Sequence, residues 1–366
     1  MDVLTSTEGR EAVKETYECL KGAVLNGIAE TQNDTLRHAL ANNAFIFSGL
    51  KTYHSLSEVG LALTDNKGGI KPYSEFLKDV LRINEQYNQN YLRAEYNHAV
   101  AAAQMAAKWQ RFEQEGDRYD LQYRTAGDDR VREEHAALDG ITLPPSDPFW
   151  DRYLPPNGWN CRCNAVQVRK GKYPHTDPAT AMERGDQCTA EPKKRIFRFN
   201  PGKTLNIFPP KHPYYKAPQE VKQGMTRYAV NITKNETVKE LKAKKLEPYK
   251  EKSDRFVYGN IYCGNNERAL LIQHVEDISL LPVALDIDNI LQSVNNGQVE
   301  DIVPSHMTKA KEKRRVVKYT KYIFNQKVRV DGKEITKTLQ LKCEVRRHGR
   351  VGAVLEHPYS IREIKE

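Results

Sequence analysis

The sequence predicts an α+β protein: a helical N-terminal part with a small irregular module, followed by a basic α+β domain with an antiparallel sheet. Three observations carry this. The stretch from Tyr73 to Phe112 contains no Gly or Pro and repeats its apolar residues every three to four positions, the period of an amphipathic helix. Between Tyr119 and Val168 the proline-dense runs LPPSDPF and LPPNGW leave room only for short strands and turns. Near the C-terminus, alternating apolar runs flank Asp331-Gly332, one of the strongest hairpin signals. A chain of 366 residues exceeds the size at which one core stops growing, so more than one folding unit is expected.

Residues 1–115 read as a helical region. Shorter helices are expected near residues 8–30 and 34–48, NKGGIK (66–71) breaks the pattern, and one long helix then runs from Tyr73 to Phe112. That length suits a rod or an assembly interface, or a long helix packed on its neighbours. Residues 116–199 form the irregular module. Five prolines between Pro201 and Pro218 make residues 200–220 an extended strap or linker, and the main domain boundary is placed there. In residues 221–366, ETVKELKAKKLEPYK reads as helix. DIDNILQSVNNG reads as a short helix with Asp286 as N-cap and Asn296-Gly297 as its stop. Strands VVKYTKYIF, KVRV, KEITKTLQLKCEV and VGAVLEHPYSI follow, the last after a His348-Gly349 turn, and make an antiparallel meander.

Charge is divided unevenly along the chain. Residues 221–366 hold 28 Lys and Arg against 19 Asp and Glu, whereas residues 1–220 hold 29 of each. A neutral front and a basic rear point to a polyanion partner for the rear alone, or to a solvated basic surface there. No run of eighteen apolar residues occurs, and the N-terminus lacks the basic-then-apolar order of a secretory signal, so neither a membrane partner nor classical secretion is expected. Six scattered cysteines are too few for a disulfide scaffold and fit a reducing compartment. The absence of G-x-x-x-x-G-K-[ST] and G-x-G-x-x-G argues against an ATP-driven motor.

The most specific segment is YRTAGDDRVREEHAALDGITLPPSDPFWDRYLPPNGWNCRC, from Tyr123 to Cys163. It concentrates Asp129, Arg130, Arg132 and His135 within two turns, beside the anchors Phe149, Trp150 and Trp159. Asp128, Arg130, Val131, Arg132, His135, Leu138 and Gly140, followed by Pro156, Gly158, Asn160, Cys161, Arg162 and Cys163, resemble the signature of the Mu F-like phage head-morphogenesis (minor capsid) proteins. The downstream RFNPGKTLNIFPPKHPYY also looks like that family, so the resemblance spans roughly residues 40–216. It implies a virion or procapsid component, made in the bacterial host cytoplasm, with portal and capsid proteins as partners.

Cys161 and Cys163 are one residue apart, too close for an easy disulfide, and with His135 they supply three ligands for a structural zinc. Cys188 or His175 is the candidate fourth. Against a metal, zinc spacing is usually Cys-x2-4-Cys, and buried thiols beside Trp159 need none; no cofactor is otherwise required. Cys19, Cys263 and Cys343 lie in apolar-periodic segments and are expected to be core thiols.

From Thr308 to Arg350 there are 15 Lys and Arg and four acidic residues, interleaved with Tyr319, Tyr322 and Phe324. Basic strands with aromatic interleaving suit single-stranded RNA, whose phosphates meet cations and whose bases stack on rings. The helix-then-meander order, ending with His357, Tyr359 and Ser360, is similar in topology to the barnase/EndoU/colicin/RelE-like nucleases, a group found fused behind Mu F-like modules in phages. That likeness implies metal-independent RNA cleavage by a 2′-hydroxyl. His274 and His357 are the candidate acid and base, with Glu276 or Glu356 as alternative base. Lys313, Arg314, Arg315 and Lys321 are the candidates for holding phosphate, joined by Arg346 and Arg347 in binding nucleic acid. Tyr319 and Tyr359 are placed to stack a base or relay a proton. His306 and His348 adjoin turn signals and read as surface residues. No carboxylate cluster marks a metal-dependent DNA nuclease.

Three functions remain open on this reading: a head protein with a ribonuclease domain, a toxin whose C-terminal effector is matched by an immunity protein, and a structural head protein whose basic domain contacts packaged DNA.

Overall fold

The computed structural model describes residue 4 and residues 6–29, 33–243, 257–276, 280–294, 297–301, 307–330, 333–348 and 353–364. It is mixed α and β and divides into two units, Met1–Ala229 and Val230–Glu366.

In the first unit, α1 (Thr7–Gly27) is capped by the Ser6 hydroxyl and α2 (Asp34–Ala62) by the Asn33 side chain, each accepting a first-turn N–H. The second helix continues past residue 48, the expected stop. Gly49 is the contact point of Met225, whose Sδ lies where a Cβ would stand. A turn through Gly68, at φ 80°, leads to α3 (Tyr73–Glu85). The long helix expected from Tyr73 to Phe112 is in fact α3, a π-helical turn at Gln86–Tyr91, and α4 (Leu92–Gln114). The extra residue of a π turn rotates the face that follows, and α4 buries Glu95, His98, Met105, Trp109 and Phe112. α1 packs on both α2 and α4.

β1 (Tyr119–Arg124) is the centre of a three-stranded antiparallel sheet, between β2 (Thr142–Leu143) and β3 (Asn164–Arg169). Around it lie α5 (Glu133–Ala136), α6 (Phe149–Tyr153) and α7 (Pro178–Cys188). Leu121, Tyr123, Leu138, Phe149, Trp150 and Tyr153 share one core with Trp109 and Phe112 of α4. The helical region and the module, separated at residue 115 in the sequence reading, are therefore one folding unit.

The strap belongs to it as well. α8 (Pro201–Thr204) lays Gly202 against Trp109, where a Cβ would come within 2.2 Å of the Trp109 Cβ. Asn43 of α2 accepts the N–H groups of Ile207 and Phe208, and Phe208 stacks on Phe47 with centroids 3.6 Å apart. Prolines made this segment extended, but burial of its aromatic residues makes it a clamp. The division between units falls later, between residues 229 and 230, inside α9 (Gln219–Ala243).

The second unit is a six-stranded sheet in the order β4-β5-β9-β8-β7-β6. These strands are β4 (Val257–Tyr258), β5 (Ile261–Tyr262), β6 (Gln298–Asp301), β7 (Val316–Val330), β8 (Lys333–His348) and β9 (Ala353–Glu363). All pairings are antiparallel except β5 with β9. The expected meander is β7-β8-β9, but VVKYTKYIF and KVRV are one 15-residue strand. Its sheet covers α10 (Asn265–Gln273), α11 (Leu281–Leu285) and α12 (Ile287–Ser293) through Leu339, Leu341, Cys343 and Ile361. α13 (Lys309–Lys313) precedes β7. Asp286 does stand at the N-cap of α12, where its carboxylate accepts from the Asn289 side chain rather than from a backbone N–H. Readings at Asn296, His306, Asp331-Gly332, Gly349 and the His348 side chain, and helix beyond Ala243, lie outside the described residues. Cys263 and Cys343 are buried core thiols, while Cys19 is half-buried. No described helix is long and apolar enough to cross a membrane.

Candidate functional site

Two clusters draw together the residues singled out in the sequence. The first is the segment Tyr123–Cys163, whose two halves lie far apart in sequence and side by side in space. After β1 the chain turns outward, and Asp139 holds the turn by accepting the Thr125 N–H at 2.7 Å. Gly140, at φ 80°, brings the chain back and donates its N–H to Tyr123 O. Asp128 accepts both terminal nitrogens of Arg162, at 2.5 and 2.6 Å, a bidentate pair that holds the carboxyl well below the usual carboxylate range. Arg132 donates to Trp159 O at 2.6 Å and lies 3.5 Å from His135 Nε2. Gly158 permits this approach, since a Cβ there would stand 3.2 Å from the Arg132 guanidinium. Asn160 takes the left-handed conformation at φ 57°, a region Asn enters more readily than most residues, and accepts from Asn97 of α4.

At the centre, His135 Nδ1 is 3.4 Å from Cys163 Sγ and 3.6 Å from Cys161 Sγ. The three ligand atoms lie within 4.8 Å of one another, and they are the metal-ligand grouping found among the described residues. Of the two thiols Cys161 ionises first: the Cys163 thiol beside it, and then His135, push its pKa down, while Cys163 is pushed up. The candidate fourth ligands are elsewhere. His175 is 2.8 Å from the Asp120 carboxylate, and Cys188 is buried outside the trio.

Trp159 anchors the second half of the segment. Its ring meets the edges of His98, Phe197 and His212, with centroids 5.1 to 5.7 Å apart. Burial lowers His98 to a pKa of about 4 and His212 to about 3. Both rings therefore stay neutral in the fold while the unfolded chain takes up protons below about pH 6.5. Their contribution to stability is complete above that pH and is lost as the pH falls toward 4. The expected outcome is a melting temperature that drops over this interval, with a shallower drop in His98→Phe. Equal slopes for both proteins in thermal melts across the range would show that His98 is not responsible.

The second cluster lies on the C-terminal sheet. Tyr319, Glu344 and His357 are directly opposite one another on β7, β8 and β9. Glu344 is fully buried and accepts from both Arg314 and Arg346; Arg346 reaches on to Glu267 of α10 at 3.0 Å, and His357 Nδ1 is 3.1 Å from the same carboxylate. Burial alone would raise the Glu267 carboxyl, but His357 and Arg346 outweigh it and the pKa is lowered. Beside this centre His274 lies against Tyr359, with ring centroids 4.2 Å apart, and Tyr359 faces Tyr319 at 6.5 Å. Lys342 sits 3.9 Å above the Tyr319 ring. His274 Nδ1 is 2.7 Å from Leu270 O, so that nitrogen donates and Nε2 carries the lone pair in the neutral ring. Burial, then the Glu344 charge, raises the Tyr359 phenol.

The sequence-derived candidates are thus split. His274, Tyr359, Tyr319 and Arg314 come together. His357 is buried at 2% exposure, and Arg346, expected to meet phosphate, is turned inward onto two carboxylates. Lys321 pairs with Glu300, Glu356 accepts from Tyr322, and Glu276 is exposed. Lys313 at the end of α13, Arg315 just before β7 and Arg347 near the end of β8 are exposed. Sequence reasoning missed Glu267 and Glu344. The signal at Glu344 was an acid set between Lys342 and Arg346 in an apolar-alternating strand.

Residues 61–166 match the family model described as Phage Mu protein F like protein. The chain is 39% identical over 69 residues to the F protein of Escherichia phage Mu, which is named for capsid assembly; that stretch is 19% of this chain and 16% of the phage protein. It is 38% identical over 68 residues to the Mu-like prophage FluMu F protein of Haemophilus influenzae, covering 17% of this chain and 16% of that protein. The chain therefore aligns with about one sixth of the length of these curated relatives. No solved structure matches it. The tied halves of the Tyr123–Cys163 segment lie inside the matched stretch, and the chain thus carries a phage Mu F-like domain.

Proposed function

We propose that this chain is a phage head-morphogenesis protein, present in the procapsid or virion, and that its Mu F-like domain binds portal or capsid protein. The observation that carries the reading is the match of residues 61–166 to a family whose phage Mu member is named for capsid assembly. The same stretch offers a surface for it. Leu61, Ile70 and Tyr73, around the α2–α3 turn, are 77%, 78% and 75% exposed, and a group of exposed large apolar side chains is a mark of protein contact. The expected result is that the full chain co-sediments with procapsids of its phage. Ile70→Asp/Tyr73→Asp should reduce that incorporation about tenfold, a loss of about 1.4 kcal/mol of binding, while leaving the melting temperature unchanged. Absence of the wild-type chain from procapsids and filled heads overturns the reading.

A second reading is favoured by the His274–Tyr359–Tyr319 row: the C-terminal unit cleaves RNA without a metal. His274 Nε2 takes the 2′-hydroxyl proton, the 2′-oxygen attacks the adjacent phosphorus, and the 5′-oxygen leaves with the Tyr359 proton. The products are a 2′,3′-cyclic phosphate and a 5′-hydroxyl end. Arg314 and Lys342 stand beside the row to meet the phosphorane charge. His357, held by Glu267, is a positioning residue. Full-length protein should cleave single-stranded RNA in EDTA, with His274→Ala about a hundredfold slower, the low end for loss of a general base. Cleavage unaffected by His274→Ala sinks this assignment. Binding without cleavage, weakening steeply with salt, makes the unit a contact for packaged DNA. A toxin role further requires an immunity protein that covers the row.

A further inference from the structure

We propose that Cys161, Cys163 and His135 bind a zinc ion, which cross-links the two halves of the Mu F-like segment. The argument rests on the shape of the cluster. Tetrahedral zinc with bonds of about 2.0–2.1 Å to nitrogen and about 2.3 Å to sulfur places an imidazole nitrogen about 3.5 Å from each thiolate. His135 Nδ1 stands 3.4 and 3.6 Å from the two sulfurs, so both nitrogen–sulfur edges of the tetrahedron are already present. The backbone sets these positions before any ion arrives. His135 is fixed in α5, Asn160 takes its left-handed turn immediately before Cys161, and the Asp128–Arg162 pair holds the residue between the cysteines.

Surroundings and donor chemistry agree with this geometry. Cys161 and His135 are buried, while Cys163 is half-exposed and opens on a shallow pocket lined by Arg130, Arg132 and Arg162, which gives an ion its entry path and a water its fourth position. Two thiolates and a neutral imidazole balance the charge of Zn²⁺. The Arg132 guanidinium lies 3.5 Å from His135 Nε2, on the ring edge away from the two sulfurs, so it leaves Nδ1 open to a metal. Binding releases the thiol protons and replaces the S···N contacts by metal bonds. With residues 135 and 161 joined through the ion, the loop between them is closed, as a disulfide would close it but in a form that a one-residue cysteine spacing permits.

The test uses the full chain purified without chelator and dialysed against buffered zinc. Elemental analysis should give about one zinc per chain, and Co²⁺ in its place should give a sulfur-to-metal charge-transfer band and the absorption of a tetrahedral ion. Cys161→Ser/Cys163→Ser and His135→Ala should hold below about a tenth of that zinc, whereas His135→Cys, which restores a ligand, should retain it. Circular dichroism confirms that each variant is folded, and the cobalt spectrum of the wild type needs no variant at all. A wild-type chain that takes up no zinc, zinc content unchanged in the double variant, or cobalt bound without sulfur absorption overturns the proposal.

Discussion

Replacing Lys51 with Met should cost the first unit about 3–5 kcal/mol, whereas replacing Lys51 and Glu95 together, by Met and Leu, should cost much less. The two side chains are 2% and 3% exposed and pair across α2 and α4, where Glu95 also receives the Tyr214 hydroxyl from the strap at 3.4 Å. Burial pushes the Lys51 amine down and the Glu95 carboxyl up, and each opposes the other's neutralisation. Removing one partner leaves a charge in an apolar interior or forces it to change protonation. Removing both leaves a site that packs. The measurement is a double-mutant cycle read by chemical denaturation, following helical signal from the first unit. If Lys51→Met is no worse than the double variant, the pair is not acting as a mutually dependent buried charge pair.

Glu344→Ala should destabilise the C-terminal unit by a similar amount, about 3–5 kcal/mol, whatever its effect on nucleic acid. The carboxylate is fully buried and compensates Arg314 and Arg346, whose side chains are 28% and 10% exposed. Arg346 keeps Glu267 after the substitution, but Arg314 loses the Glu344 carboxylate, and the strand pair beneath loses its central polar tie. Arg346→Met is the milder change, because Glu344 retains Arg314. A chain of two units does not unfold in one transition, so hydrogen exchange of β7–β9 peptides is the appropriate readout. Protection of these strands unchanged in Glu344→Ala would show that the cluster is not what holds this sheet. On the ribonuclease reading proposed above, the comparison also separates roles: a residue that only supports the sheet should lower protection and cleavage together, whereas His274→Ala should lower cleavage alone.

Much of the fold could be read in advance because its signals are local. A helix declares itself within a few turns, so the Gly- and Pro-free stretch from Tyr73 located α3 and α4. Strand alternation around Asp331-Gly332 located β7 and β8, whose pairing brings Val330 opposite Lys333. The π turn at Gln86–Tyr91 had no such signature, since its residues suit an ordinary helix and only the burial of Tyr87 on one side and Glu95 on the other requires the rotation. Prolines marked residues 200–216 as extended. They could not show that Phe208 and Tyr214 would be buried, which turns a linker into part of the core.

The sites divide in the same way. Residue types and spacing in Tyr123–Cys163 singled out Arg132, His135, Cys161 and Cys163, and the resemblance to Mu F-like proteins added Asp128 and Asn160. By itself the sequence determined which chemistry each residue carries and which short segments form helix or strand, because both are properties of the residue and its near neighbours. Only the tertiary structure decided that Asp128 meets Arg162, that Arg346 turns inward, that His357 is buried on Glu267 and that His274 keeps company with Tyr359. Those pairings depend on register and burial, which residues tens of positions apart settle jointly by what they can exclude from water.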